Sequence, residues 1–167
     1  NDQLPSSDSL FVLKMPVRSL SQQFNKRLSS WVGDGGRLLI VADHTDLYNS
    51  TQNLTPLLDR FGVALNSDAV YDRTGMPNVV DSYAADFILG RIHYNSDSFL
   101  WQTGTSFSSI PIGSLALLSY GASFSEPGDY SRQNRFGPFL PRTILRYGNH
   151  SAVLAFPFGA GAVALVL

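Results

Sequence analysis

The stretch Gly33-Asp34-Gly35-Gly36-Arg37-Leu38-Leu39-Ile40-Val41-Ala42 constrains the fold more than any other part of the chain. Trp31 and Val32 close an apolar helical period, the glycines turn the chain, and Leu38 to Ala42 is an unbroken apolar run. Such a run reads as a strand covered on both faces, the habit of parallel sheets flanked by helices. Directly after it come Asp43, His44, Thr45 and Asp46, with Tyr48 close behind. Ligands of open parallel sheets bind at the carboxyl ends of the strands, so this polar group stands where chemistry is expected.

The neighbouring patterns support a layered α/β chain. Leu10 to Met15, closed by Pro16, reads as a strand. Ser19 with Gln22 makes a capping box, and Leu20, Phe24, Leu28, Trp31 and Val32 recur at spacings of three and four, which predicts an amphipathic helix ended by Gly33. Strand, helix and strand with short connections predict a right-handed parallel crossover. Leu54, Leu57, Leu58 and Phe61 predict a second helix, capped by Asn53 or Thr55, with Pro56 in its first turn and Gly62 at its end. Val63–Leu65 and Ala69–Tyr71 read as short strands, and Leu115–Tyr120 as a core strand. Residues 74–110 read as an irregular insertion, either a long decorated connection or a small β insertion, and 121–142 as a surface excursion. Residues 152–166 predict a β hairpin turned at Gly159 and Gly161. Without a repeat or a composition break, residues 1–167 read as one domain. The chain has no initiator Met or leader and stops in an apolar strand, so it is expected to be a piece of a longer protein.

Composition narrows the functions. Twelve basic against thirteen acidic residues, with no basic stripe, argue against a nucleic-acid partner. No apolar run reaches the length that spans a bilayer. The absence of cysteine removes disulfides, thiolate metal sites and a thiol nucleophile. The three histidines, at 44, 93 and 150, have no metal-site spacing. A metal would need His44, His93 and Asp97 brought together from distant loops, so no metal and no cofactor are expected. There is no Gly-x-Ser-x-Gly elbow and no phosphate-binding glycine loop.

The unit from Trp31 to Ala42, the Asp43-His44-Thr45-Asp46 group, the helix ending in Phe61-Gly62-Val63 and the turn Phe158-Gly159-Ala160-Gly161-Ala162-Val163 resemble the class I glutamine amidotransferase-like superfamily. They are most similar to its bacterial domains found near membrane segments and transport components. The resemblance covers residues 10–72 and 150–167. It implies an α/β, flavodoxin-like three-layer sandwich with a mainly parallel sheet and a C-terminal β hairpin. In catalytic members the strand matching Leu38–Ala42 enters an elbow that bears a cysteine. Here the elbow reads Ala42-Asp43-His44, so glutamine hydrolysis does not carry over.

Asp43, His44 and Asp46 are the catalytic candidates, because a carboxylate beside an imidazole fixes its tautomer and raises its basicity. The structural alternative has Asp43 capping the turn and His44 packing beneath a loop. Glu126 and Asp129 with Asp72 offer paired carboxylates for glycoside chemistry, although loop acids beside Pro and Gly usually form turns. The combined reading is a non-catalytic, ligand- or partner-binding module of a larger, membrane-associated, extracytoplasmic bacterial protein. Its recognition surface comprises Asp43, His44, Thr45, Asp46, Tyr48, Asp72, Arg73, Glu126, Asp129 and Tyr130, and its partner is a glycan, a peptide or a neighbouring subunit. The rivals are a small-substrate hydrolase using His44 with Asp43 or Asp46, and an assembly subunit of a transport complex. His44 open to a concave pocket favours the hydrolase, and a buried His44 favours binding.

Overall fold

The computed structural model of the protein describes residues 4–72, 78–81, 98–101, 104–120, 122–131 and 145–167. Strand β1 (Leu10–Lys14), helix α1 (Gln22–Gly33) and β2 (Arg37–Val41) form the expected parallel crossover, with Leu10 opposite Arg37 and Lys14 opposite Val41. A 3-10 turn (His44–Asn49) leads into α2 (Ser50–Phe61). Beyond it lie β3 (Ala64–Leu65), β4 (Asp68–Asp72), β5 (Asn78–Asp81), β6 (Ser98–Trp101), β7 (Phe107–Ser109), β8 (Leu115–Tyr120), β9 (Ser123–Pro127), β10 (Arg146–Gly148), β11 (Ser151–Phe158) and β12 (Gly161–Val166).

The expected flavodoxin-like three-layer sandwich with a mainly parallel sheet is not what forms. The main sheet has seven strands in the order β1-β2-β12-β11-β8-β5-β6. β2 pairs parallel with β1 and β12, and every other pairing in the sheet is antiparallel. Small sheets β10-β9-β4 and β3-β7 complete a strand-rich, mixed architecture. After α2 the described strands of this sheet pair antiparallel, β11 and β12 through a tight turn, where a parallel sheet would need crossover connections. The C-terminal hairpin is the β11–β12 pair, with Phe158 opposite Gly161.

Both helices cover the same face. Leu28 and Val32 of α1 and Leu54, Leu57, Leu58 and Phe61 of α2 share one core with Leu38 and Ile40 of β2 and Val163 and Leu165 of β12. No described helix is long and apolar enough to cross a membrane.

The opposite face carries the alternate residues of the same strands, aligned by register into rows. Val12, Leu39, Ala164, Ala155 and Leu115 form one row across five strands. Lys14, Val41, Val166 and Val153 lie in a second row towards the strands' carboxyl end, and Leu10, Arg37, Ala162 and Pro157 lie in a third at the other end. Leu10 and Val12 are more than half exposed, at 58% and 51%. No described helix packs on this side.

Local chemistry corrects several helix boundaries. α1 is capped by Ser21, whose Oγ accepts from the Phe24 amide, and Ser19 instead donates to Asn53. α2 starts at Ser50, so Asn53 and Thr55 lie inside it, and Pro56 stands in its interior. The proline is tolerated because it and Gln52, whose carbonyl it leaves without a helical donor, are both on the exposed side. Residues 123–127 are strand β9 where a surface excursion was expected, and Glu126 is buried within it. Three strands, β5, β6 and β7, lie within the insertion read over 74–110, which favours the small β insertion over the long connection.

At the hairpin turn, the amide of Ala160 donates to the Gly33 carbonyl (2.8 Å) and that of Ala162 to the Gly36 carbonyl (3.2 Å). The end of α1 thereby lies directly on the β11–β12 turn. Gly159 sits at φ +59°, and a side chain on Gly161 would meet the carbonyl oxygens of Val32 and Gly36.

Candidate functional site

The backbone leaving β2 is strained. Thr45, Asp46, Tyr48 and Asn49 all have positive φ, between 51° and 61°, in the left-handed region that costs a non-glycine residue roughly 1–2 kcal/mol. Side chains and a neighbouring turn hold this conformation. Asp43 Oδ1 accepts from the His44 amide at 2.7 Å. The buried Asp46 carboxylate accepts from the Gln52 amide at 3.0 Å and from the Gln52 carboxamide at 2.7 Å, which ties it across the start of α2. Tyr130 donates its amide to the Thr45 carbonyl (2.8 Å), and Asn49 donates from Nδ2 to the Ser131 carbonyl (3.2 Å).

These bonds bring two of the sequence candidates' regions together, the segment from Asp43 to Asn49 and the turn after β9. Ser67 closes the same contact, because its Oγ donates to the Gly128 carbonyl at 2.6 Å. Glu126 lies inward on β9, 4% exposed, while Asp129 is exposed and accepts from the Ser131 amide. Tyr48 points outward, 43% exposed. Asp72 ends β4 opposite Ser123, and Arg73, His93 and Asp97 lie outside the described residues.

His44 is half-buried. Its Nδ1 lies 2.6 Å from Thr45 Oγ1 and its Nε2 3.6 Å from Asp43 Oδ1. A proton on Nε2, facing Asp43, leaves Nδ1 to accept from the Thr45 hydroxyl. Carboxylate, imidazole and hydroxyl follow one another in the order of a general-base relay, but 3.6 Å between Asp43 and Nε2 is too long for the hydrogen bond a relay requires. The hydroxyl-bearing residue is also fully buried. The Tyr130 ring stands edge-on to the imidazole at 5.8 Å and 87°, and Gly128 packs on the Thr45 methyl so closely that a side chain there would collide with it. A reactant has no way to the Thr45 oxygen, so the group serves to hold the turn.

Burial pushes the His44 pKa below the ordinary 6.5, and Asp43 opposes that shift only in part. Burial lowers His150 likewise, where Nδ1 lies 2.8 Å from Ser123 Oγ. A base held neutral in the fold binds fewer protons there than when unfolded. Its contribution is therefore complete above pH 6.5 and is lost as the pH falls below that value. The urea midpoint is expected to drop between pH 7.5 and pH 5.5. His44→Asn should lessen the slope, and an unchanged slope in both His44→Asn and His150→Asn would rule the linkage out.

Beside this closed group lies an open one. Asp46, Thr51, Gln52, Thr55, Leu65, Ser67, Pro127, Gly128 and Asp129 line a cleft of about 400 Å³. His44 is not among them. Thr51, Gln52 and Thr55 went unrecognised in the sequence because α2 begins earlier than its apolar period suggests. Thr51 is 7% exposed, and its hydroxyl has no hydrogen-bond partner among the described residues. Among the described residues that line the cleft none is basic, and the start of α2, which would attract an anion, already faces the Asp46 carboxylate. No group of three or more metal-ligating side chains gathers among the described residues.

No family model and no curated protein matches this chain. Similar folds occur among solved structures. The mmIFT52 N-terminal domain superposes with a TM-score of 0.63 at 17% identity, over 94% of this chain and 64% of that one. A cytoplasmic protein from Salmonella typhimurium gives 0.54 at 9% identity, over 94% of this chain and 58% of that one. A β-galactosidase from Rahnella sp. R3 gives 0.51 at 17% identity, over 94% of this chain and 19% of that one. The chain thus spans less than two thirds of each, and at these identities the likeness is one of fold alone.

Proposed function

We propose that this chain is a non-catalytic binding module whose cleft, between the start of α2 and the turn after β9, takes a small, neutral, hydroxyl-rich ligand such as a sugar unit of a glycan. The reading rests on the separation of the two polar groups. Thr45 is fully buried and His44 half-buried beside it, while the solvent-facing cleft next to them has hydroxyls, a carboxamide and carboxylates but no nucleophile–base pair among its described lining residues.

The character of the lining selects the ligand. Two carboxylates, and no cation among the described lining residues, disfavour phosphates and acids, and the Thr51 hydroxyl lacks a hydrogen-bond partner among the described residues. The same fold makes up about a fifth of a β-galactosidase chain, which is consistent with a module that functions within a larger protein.

Titration of the isotope-labelled chain with a panel of mono- and disaccharides, followed by amide chemical shifts, tests this reading. Shifts centred on Thr51, Gln52 and Ser67 are expected, and Gln52→Ala should weaken binding about tenfold, the worth of one hydrogen bond to a polar ligand. Sugars that leave the cleft amides unmoved would overturn the assignment. Turnover of a glycoside that is lost in His44→Ala would transfer it to the hydrolase.

A further inference from the structure

We infer that the loop between β7 and β8 is a membrane-docking tip, which sets the side chains of Ile110 and Ile112 into the interface of a lipid bilayer and leaves the cleft facing water. The inference is independent of the cleft's ligand.

Between Ser109 and Ser114 the chain reads Ile110-Pro111-Ile112-Gly113. Ile110 is 51% exposed and Ile112 105%, as open as a side chain on an extended peptide. Single apolar residues scattered over a surface need no explanation, but here two share one turn, and the exposed Leu10 and Leu115 border a hollow with Gly113 beside them. The turn is fixed. The Pro111 carbonyl accepts from the Ser114 amide at 3.2 Å and from the Ser114 hydroxyl at 2.7 Å, and Gly113, at φ +85°, takes the third place of a type II turn. Pro111 lies beside Gly62 at the end of α2, which seats the turn on the fold. Pro111 has no amide hydrogen and its carbonyl accepts twice, so the backbone loses little by leaving water.

Shape and size decide the occupant. Two side chains on a projecting turn fall far short of the roughly 20–30 residues a side that a stable protein interface engages. A bilayer needs no matching hollow and takes up the apolar surface that is set into it. Two isoleucines carry about as much hydrocarbon as a short acyl chain, which gives weak, reversible attachment. Charge adds little, because Asp34 after α1 and Asp59 in the last turn of α2 offset Arg37 and Arg60 at this end of the molecule.

The fold holds the tip and the cleft apart. Leu115 is level with Leu39 by way of Ala155 and Ala164, so the loop before it lies towards the Arg37 end of β2. The cleft lies beyond the other end of that strand. Gln52 lines it, and Gly62, beside Pro111, follows ten residues later, about 15 Å along the helix. The headgroup layer on one side of a bilayer is about 5–8 Å deep, so a chain docked by its tip keeps the cleft clear of lipid.

The chain has no cysteine, so Ile112→Cys accepts a single environment-sensitive fluorophore, and Tyr48→Cys, at the cleft end, carries the control label. Each is titrated with vesicles of phosphatidylcholine alone and of phosphatidylcholine with phosphatidylglycerol. A blue shift is expected at position 112 with both vesicles and at neither with the label at 48. In sedimentation with the same vesicles, Ile110→Ser combined with Ile112→Ser should bind at least tenfold more weakly than the unaltered chain, about the worth of one such side chain withdrawn from water, with an unchanged circular dichroism spectrum. A label at 112 that no vesicle moves, equal shifts at 112 and 48, or full binding by the double serine variant would overturn the inference. So would binding to the anionic vesicles alone that high salt abolishes, because charge and not the tip would then carry it. A dimer in sedimentation velocity that the double variant dissociates would assign the tip to a second copy instead. Gln52→Ala, in the cleft, should leave vesicle binding unchanged, so the sugar titration and this one fail separately.

Discussion

Gly161→Ala is expected to destabilise the fold by about 3 kcal/mol, the upper range for an atom forced into a packed interior, and to lower Tm by roughly 6–12 °C for a domain of this size. The added carbon would lie against two backbone carbonyls, Val32 and Gly36, that cannot swing aside like the end of a long side chain. Moving either one would disturb the Ala162–Gly36 and Ala160–Gly33 bonds that seat the end of α1 on the hairpin. The strand that begins at Gly161 is also the central link of the sheet, parallel to β2 on one side and antiparallel to β11 on the other. Gly148→Ala is the control, because nothing lies within 4 Å of the position and its φ is ordinary. Calorimetry and urea unfolding should separate the two variants clearly, and equal midpoints would show that the contact is not tight.

Asp68→Ala is expected to cost about 4 kcal/mol, because each buried donor left without an acceptor costs roughly 1–3 kcal/mol. Asp68 is 1% exposed and accepts from Thr105 Oγ1 at 2.9 Å, from the Ser106 amide at 2.8 Å and from Ser106 Oγ at 2.5 Å. Thr105 also donates to the Asn66 carbonyl, but the Ser106 amide has no second partner among the described residues. The carboxylate thus ties β4 to the segment that enters β7. Together with burial, it pushes the Tyr120 phenol far above its ordinary pKa, burial being the larger cause. Asp68→Asn, which keeps the shape and one acceptor, should recover about half the loss in urea unfolding with an unchanged slope. Equal losses for the two variants would assign the effect to packing.

The parts of this fold that were legible are those whose pattern is local. Apolar spacing marked α1, the run Leu38–Ala42 marked β2, and the strand–helix–strand order with short loops pointed to a parallel crossover. Gly159 and Gly161 marked the hairpin for the same reason, since a two-residue turn can join only antiparallel neighbours. The direction of the remaining strands was not legible. An apolar run such as Leu115–Tyr120 looks the same whichever way its neighbours run, and strand direction depends on connections whose path is not written in residue type. The start of α2 was misplaced because its first turn carries Ser50, Thr51 and Gln52, polar residues without helical period. Their place is set by Asp46 reaching forward to Gln52, a contact invisible to spacing rules.

The polar group after β2 shows the same division. Its position at the carboxyl end of a strand could be foreseen. That Tyr130 and Gly128 would close over His44 and Thr45 depended on a turn more than eighty residues later in the chain, as the separation of Asn49 and Ser131 shows. Asp68 drew no attention because a lone acid between two short strands has no pattern, and only the fold surrounds it with hydroxyls.

The place of β12 has a consequence for how the molecule is made. It follows every other strand in sequence yet sits in the interior of the main sheet, between β2 and β11. A chain emerging from the ribosome therefore holds β2 with one unpaired, apolar edge until β12, more than a hundred residues later, is synthesised. Closure of the sheet is then a late event between distant residues, of the slow, aggregation-exposed kind. Cellular chaperones have their longest opportunity to act on this protein during that interval.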